Sequence, residues 1–175
     1  WGWPSCRHTP SAERPSPLGP GATDNVSRRE VDWGFSTVEG APAFASRSPT
    51  ALEVTPLVFQ GTMYLSTPLG RVFALDPVTG VQRWVYDPRV DRTVQYGDFA
   101  NRGVALWLDP AATAGARCSL RIFLATIDTR LIALDAAPVT PCTDFPSNGT
   151  VQLRTGLRIP PAFAPEPAAT SPPPS

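Results

Sequence analysis

Lysine is absent from this chain: all fifteen basic residues are arginine. That excludes a Walker A phosphate loop, a side-chain Schiff base with pyridoxal phosphate and a kinase-type phosphate lysine. Fifteen Asp and Glu balance the arginines to a net charge of +0, and charged residues make up only 17% of the chain. Without a basic field, nucleic acid is not an expected partner. Long apolar runs are missing as well. Stretches such as Leu131-Ile132-Ala133-Leu134 fall far short of the roughly 20 residues a membrane helix needs. No window keeps a 3.6-residue period over a helical length. The single histidine, His8, sits in a Pro/Ser/Arg segment without partners for a metal or catalytic role. The three cysteines, Cys6, Cys118 and Cys142, lack the CxxC spacing of a zinc or redox motif, so their arithmetic is one bridge and one spare thiol. No leader pattern is visible, and the chain begins at Trp1, so a processed chain or a piece of a longer one is expected.

What the chain does have is 22 Pro, 13 Gly and an internal repeat. Tyr64–Asp76 (YLSTPLGRVFALD) aligns without gaps on Phe123–Asp135 (FLATIDTRLIALD), with Leu65/Leu124, Thr67/Thr126, Arg71/Arg130, Ala74/Ala133, Leu75/Leu134 and Asp76/Asp135 identical. Such repetition marks a solenoid or a propeller. Inside the unit the pattern is β: Leu57-Val58-Phe59, Met63-Tyr64-Leu65 and Val72-Phe73-Ala74-Leu75 are short branched or aromatic runs. Gln60-Gly61 reads as a tight hairpin turn. Asp76-Pro77-Val78-Thr79-Gly80 reads as a turn capped by its Asp, leading to the strand Val81–Tyr86. Asp76 and Asp135, at equivalent turn positions, are caps and not an acid/base pair. One unit is about four strands, the size of a propeller blade. Glu53–Tyr86 is the better preserved copy, and Arg102–Phe145 is the second.

The expected organisation is an irregular segment over 1–50 with one strand at Glu30–Phe35, two blades over 51–159, and a Pro-rich tail over 160–175. The tail reads as a linker or as the start of a further blade. Two blades cannot close a ring, and stacked repeats need about three units to bury a continuous core, so an incomplete fold is expected.

Ala74–Trp84, ALDPVTGxxxW in outline, resembles the repeat of pyrroloquinoline quinone (PQQ) dehydrogenases, which are eight-bladed propellers. Other segments resemble the same family in the same order: Glu53-Val54-Thr55-Pro56-Leu57 as E-x-T-P-L, Asn101-Arg102-Gly103 as N-R-G, and Thr170-Ser171-Pro172-Pro173 as the opening of a next blade. The resemblance implies an all-β fold, a partial eight-bladed β-propeller of about two PQQ-type blades. The alcohol-oxidising branch of that family carries two adjacent cysteines shortly before N-R-G, where this chain has Tyr96-Gly97. The similarity therefore points to the glucose and quinate dehydrogenase branch, acting on a sugar or cyclic polyol and passing electrons to a quinone-pool or other acceptor. Calcium is implied as a Lewis acid. Its ligands and the catalytic base are expected beyond Ser175, which would leave this chain alone inactive.

The resemblance also assigns cofactor-binding roles. Glu53 would reach the quinone pocket; its alternative is a solvated strand end. Arg102, a planar cation suited to a carboxylate or quinone oxygen, would contact PQQ, a tricarboxylate; its alternative is a structural pair with Asp98. Gly103 would allow close backbone approach, as would a plain turn glycine. Thr170 would hydrogen-bond the cofactor from the third blade, with Ser171 as local competitor. Cys118 and Cys142 bracket the second blade's hairpin, so the bridge is assigned to them, implying an oxidising compartment such as the periplasm. The competing class is a non-catalytic PQQ-repeat propeller serving as a protein-binding scaffold in the bacterial envelope.

Overall fold

The computed structural model describes residues 26–28, 30–46, 48–155 and 169–172; His8, Cys6 and most of the tail lie outside them. Ten strands form two four-stranded antiparallel sheets and one two-stranded parallel ribbon. The first sheet is β2 (Leu57–Phe59), β3 (Thr62–Ser66), β4 (Val72–Leu75) and β5 (Gln82–Tyr86), in sequence order. The second is β7 (Ala105–Leu108), β8 (Leu120–Ala125), β9 (Arg130–Asp135) and β10 (Thr150–Gln152). Sequential antiparallel order is what short hairpin connections allow. The pattern expected for the second copy ended at Phe145, but its outer strand is β10. A one-turn element, Pro146–Gly149, with Ser147 and Asn148 at φ 51 and 57, brings the chain back to pair with β9. The ribbon joins β1 (Thr50–Leu52) to β6 (Phe99–Asn101) in parallel.

The two sheets stack face to face. Leu57, Tyr64, Val72 and Ala74 of the first pack with Leu106, Ile122, Leu124, Ile132 and Leu134 of the second, and Trp84 and Tyr86 close the margin. Burial of these apolar side chains, each worth about 1.5–3 kcal/mol, holds the blades together.

The repeated residues are turn chemistry. Between β2 and β3, Gln60 and Gly61 both take positive φ (46 and 71), the two-residue turn whose twist matches a hairpin. The Thr67 and Thr126 hydroxyls accept from the Arg71 and Arg130 N–H, each at 3.1 Å, closing the β3–β4 and β8–β9 turns. Asp76 accepts from the Arg83 guanidinium and from the Thr79 and Val78 N–H groups, and these contacts hold its carboxyl down at about 2. Asp135 accepts from Ala137 N–H and from Cys118 N–H, which pins the start of the second sheet's disulfide.

No strand forms over Glu30–Phe35 among the described residues. The segment is extended, with Trp33, Phe35, Thr37 and Glu39 turned toward the first sheet and the intervening residues exposed. Trp33 lies so close over Gly80 that a Cβ there would come within 2.5 Å of its ring. Phe35 meets Phe73 edge-on at 5.2 Å, and the Thr37 carbonyl accepts from Arg71 at 3.0 Å. In the second sheet Arg130 donates in the same way to the Pro88 carbonyl, at 2.9 Å. Trp33-Gly34-Phe35 thus lies on the first sheet as Trp84-Val85-Tyr86 lies on the second. The sequence predicts a strand here, but no described residue offers the segment a ladder.

Glu39 ends this strap. Its side chain is 7% exposed and 3.8 Å from Arg71; the Thr67 side chain and the Leu69 backbone lie near its carboxylate, but neither oxygen makes a well-formed hydrogen bond. Burial pushes its carboxyl up, against the pull of Thr67, the Leu69 backbone and Arg71. A carboxyl raised on folding adds stability below its unfolded pKa and loses it as pH rises through the folded value. Stability is therefore expected to fall with rising pH across the range just above the ordinary glutamate pKa, and Glu39→Gln to flatten that fall in urea melts run against pH. An unchanged slope in the variant would refute this.

Candidate functional site

Three chain segments meet at one end of the sheets. The parallel register of β1 and β6 sets Leu52 opposite Asn101, which places Glu53 beside Arg102. Thr55 N–H donates to the Arg102 carbonyl at 3.2 Å, and Arg102 N–H donates to the Thr170 carbonyl at 2.7 Å. All three openings, before β2, before β7 and at Ala169–Pro172, therefore lie side by side. Each contributes one polar side chain. Arg102 pairs with Glu53 at 3.1 Å through Nη2 and donates to the Thr170 hydroxyl at 2.7 Å through Nη1. The structure brings together every residue singled out for cofactor contact, and the Arg102 partner is Glu53, not Asp98. The pair stays accessible, with Arg102 and Glu53 side chains 51% and 42% exposed.

Beneath them lies Asn101, 3% exposed, a residue the sequence reading cited only as part of N-R-G. Its Oδ1 accepts from the Ser66 hydroxyl at 2.5 Å and from Gly103 N–H at 3.0 Å, while its Nδ2 donates to the Ala125 carbonyl at 2.9 Å. One amide thus ties β3 of the first sheet to β8 of the second and fixes the backbone on either side of Arg102. Gly103 has φ 138, a conformation L side chains rarely adopt, and a Cβ would approach Thr55 O to 3.4 Å.

Among the described residues, one group of potential metal ligands falls within reach of a single ion: Cys118, Cys142 and Asp144. Its two sulfurs are bonded to each other in a disulfide, so it is no metal centre. A cavity of about 660 Å³ is lined by Gln60, Trp84, Leu108 and Asp109, among others. Gln60, Leu108 and Asp109 sit at the far ends of β2 and β7 from Glu53 and Arg102, and the cavity is a cleft between blades, away from the converging polar groups.

A family profile described as "PQQ: Glucose/ethanol/alcohol dehydrogenase, beta-propeller domain" matches residues 3–175. The chain is 33% identical over 161 residues to quinoprotein glucose dehydrogenase of Gluconobacter oxydans, covering 87% of this chain and 20% of that protein. It is likewise 33% identical over 159 residues to quinoprotein glucose dehydrogenase of Escherichia coli, covering 89% of the chain and 20% of the relative. The crystal structure of quinohemoprotein alcohol dehydrogenase from Comamonas testosteroni superposes with a TM-score of 0.65 at 27% identity, over 90% of this chain and 20% of that one. The chain spans about a fifth of the length of these relatives.

Proposed function

We infer, from the premise that this chain belongs to the glucose/ethanol/alcohol dehydrogenase β-propeller family, that Glu53, Arg102 and Thr170 form part of the wall of a PQQ pocket. The activity is that of a PQQ- and calcium-dependent dehydrogenase oxidising a sugar or cyclic polyol, of the glucose or quinate type, and passing electrons to a quinone acceptor. The observation that carries this reading is the meeting of three blade openings on one half-exposed, carboxylate-paired guanidinium.

The residues present suit such a group. Arg102 uses one Nη for Glu53 and the other for Thr170, which orients its planar fork, and its remaining N–H groups are directed to no described residue. Those donors match a carboxylate or a quinone oxygen. PQQ, when bound, supplies an ortho-quinone that takes up two electrons from the substrate CH–OH carbon. Arg102 would hold an anionic edge, Glu53 would keep the guanidinium in place and accept a hydrogen bond, and the Thr170 hydroxyl would offer a further polar contact. Gly103, at φ 138 beside the Thr55 carbonyl, lets the backbone turn directly after Arg102. A fixed cation also favours negative charge developing beside it during reduction. No described residue is assigned as a calcium ligand.

The disulfide supports an oxidising location, and we place the protein in the periplasm. No helix among the described residues is long and apolar enough to cross a membrane. The scaffold alternative has less support, because a purely structural blade has no need of an exposed Glu–Arg–Thr cluster at its opening.

The test is titration of PQQ with Ca²⁺ into the protein expressed from its native gene, followed by reduction of an artificial electron acceptor with aldoses, quinate or alcohols. Arg102→Ala is expected to weaken PQQ binding by about tenfold to a hundredfold, the loss of one or two hydrogen bonds to charged groups. Parent protein that binds no PQQ at micromolar concentration would sink the reading.

A further inference from the structure

A second concentration of guanidinium groups lies apart from Glu53, Arg102 and Thr170. Arg71, Arg89 and Arg92 line a cavity of about 140 Å³, together with Phe44, Leu69, Asp87 and Val90. At about 30 Å³ per water, this is room for a solute of a few heavy atoms.

Arg71 is the best defined of the three. Its guanidinium lies between the Phe44 and Phe73 rings, 4.6 and 4.8 Å from their centroids. Its Nη1 is engaged by Thr37, and its Nε is buried with no acceptor. The repeat makes this unusual. The equivalent Arg130 gives its Nε to Asp128 at 2.9 Å, but Leu69 stands where Asp128 would be in the first copy. The carboxylate that satisfies Arg130 is therefore replaced by an apolar residue on the cavity wall. Glu39 sits near Arg71 but hydrogen-bonds to none of its donors.

The other two arginines are placed by the loop after β5. Asp87 accepts from Arg89 N–H at 2.7 Å and holds that residue at φ 52, so the one carboxylate lining the cavity caps its own loop. The Arg89 guanidinium meets no partner among the described residues. Arg92 donates through Nη1 to the Ala43 carbonyl at 2.6 Å and stands 5.7 Å from the Phe44 ring centre. The lining thus carries three cations and one carboxylate, with Glu39 standing 3.8 Å from Arg71 and the Arg89 guanidinium free.

We propose that this cavity binds a small oxyanion, of the phosphate, sulfate or carboxylate kind, held by the Arg89 and Arg92 guanidinium groups against the wall that Arg71 forms. Guanidinium forks match such ions in a bidentate way, and Arg71 adds positive charge at the cavity wall. The site shares no residue with the PQQ contacts, so it stands or falls independently of them.

Thermal unfolding of the purified protein tests it, with sodium phosphate or sodium acetate titrated against sodium chloride at matched ionic strength. A saturable rise in Tm with phosphate or acetate, absent with chloride, is expected; the stronger of the two tells a tetrahedral from a planar oxyanion. Arg89→Gln is exposed and expected to fold, and it should weaken the apparent affinity about tenfold, with Arg89→Gln/Arg92→Gln weakening it further. Arg83→Gln, at the opposite end of the first sheet, should leave it unchanged. No saturable rise beyond chloride, or an Arg89→Gln/Arg92→Gln protein responding like the parent, overturns the proposal.

Discussion

Replacing Asn101 with alanine is expected to destabilise the protein by about 3–5 kcal/mol and to remove Arg102 from its place at the same time. The amide makes three buried hydrogen bonds, to Ser66, Gly103 and Ala125, on groups belonging to both sheets. Truncation strands each partner, and a buried polar group left without a partner costs about 1–3 kcal/mol. Ser66→Ala removes one of the three contacts and should cost about 1 kcal/mol. Urea denaturation of the two variants gives the comparison. Near-equal losses would mean that Asn101 is not the common tie between the blades. Because Gly103 N–H and the Arg102 backbone are fixed by the same network, PQQ binding should fall in Asn101→Ala even though that side chain reaches no ligand.

Loss of the Cys118–Cys142 bridge is the second large effect. Both residues are buried, and the bond closes 24 residues of separation in the second sheet. In the chain-entropy account, opening a loop of that size costs about 3 kcal/mol. The bridge also packs with Ala133, Phe123 and Phe145, so a Cys118→Ala/Cys142→Ala protein loses contacts as well. The expected result is a urea midpoint lowered in the double variant and lowered comparably when the parent is unfolded in reductant. Reductant should leave the variant itself unchanged. A parent insensitive to reductant would show that the second blade holds without its staple.

Several features are legible in the sequence because their causes are local. The hairpin at Gln60-Gly61 needs positive φ at neighbouring residues, and the Asp76 turn needs a carboxylate two and three residues ahead of the N–H groups it caps. Thr67, Arg71 and Asp76 recur as Thr126, Arg130 and Asp135 because the same turns recur. The segment Glu30–Phe35 shows the limit of such reading. A strand is expected there, but a strand requires a partner's hydrogen bonds, and the residues of the segment carry no information about that. Asn101 shows a second limit, since its partners Ser66 and Ala125 lie 35 and 24 residues away and no spacing rule links them.

By itself, the amino-acid sequence determined the β pattern, the repeat, the turns and the types of side chain that open each blade, since these depend on backbone preferences and on neighbours within a few residues. Only the tertiary structure decided that Glu53, Arg102 and Thr170 touch, that Arg102 turns to Glu53 instead of Asp98, and that Arg71 lacks the carboxylate Arg130 has. The reason is geometric: parallel pairing of β1 with β6 and face-to-face stacking of the sheets bring distant residues within hydrogen-bond reach.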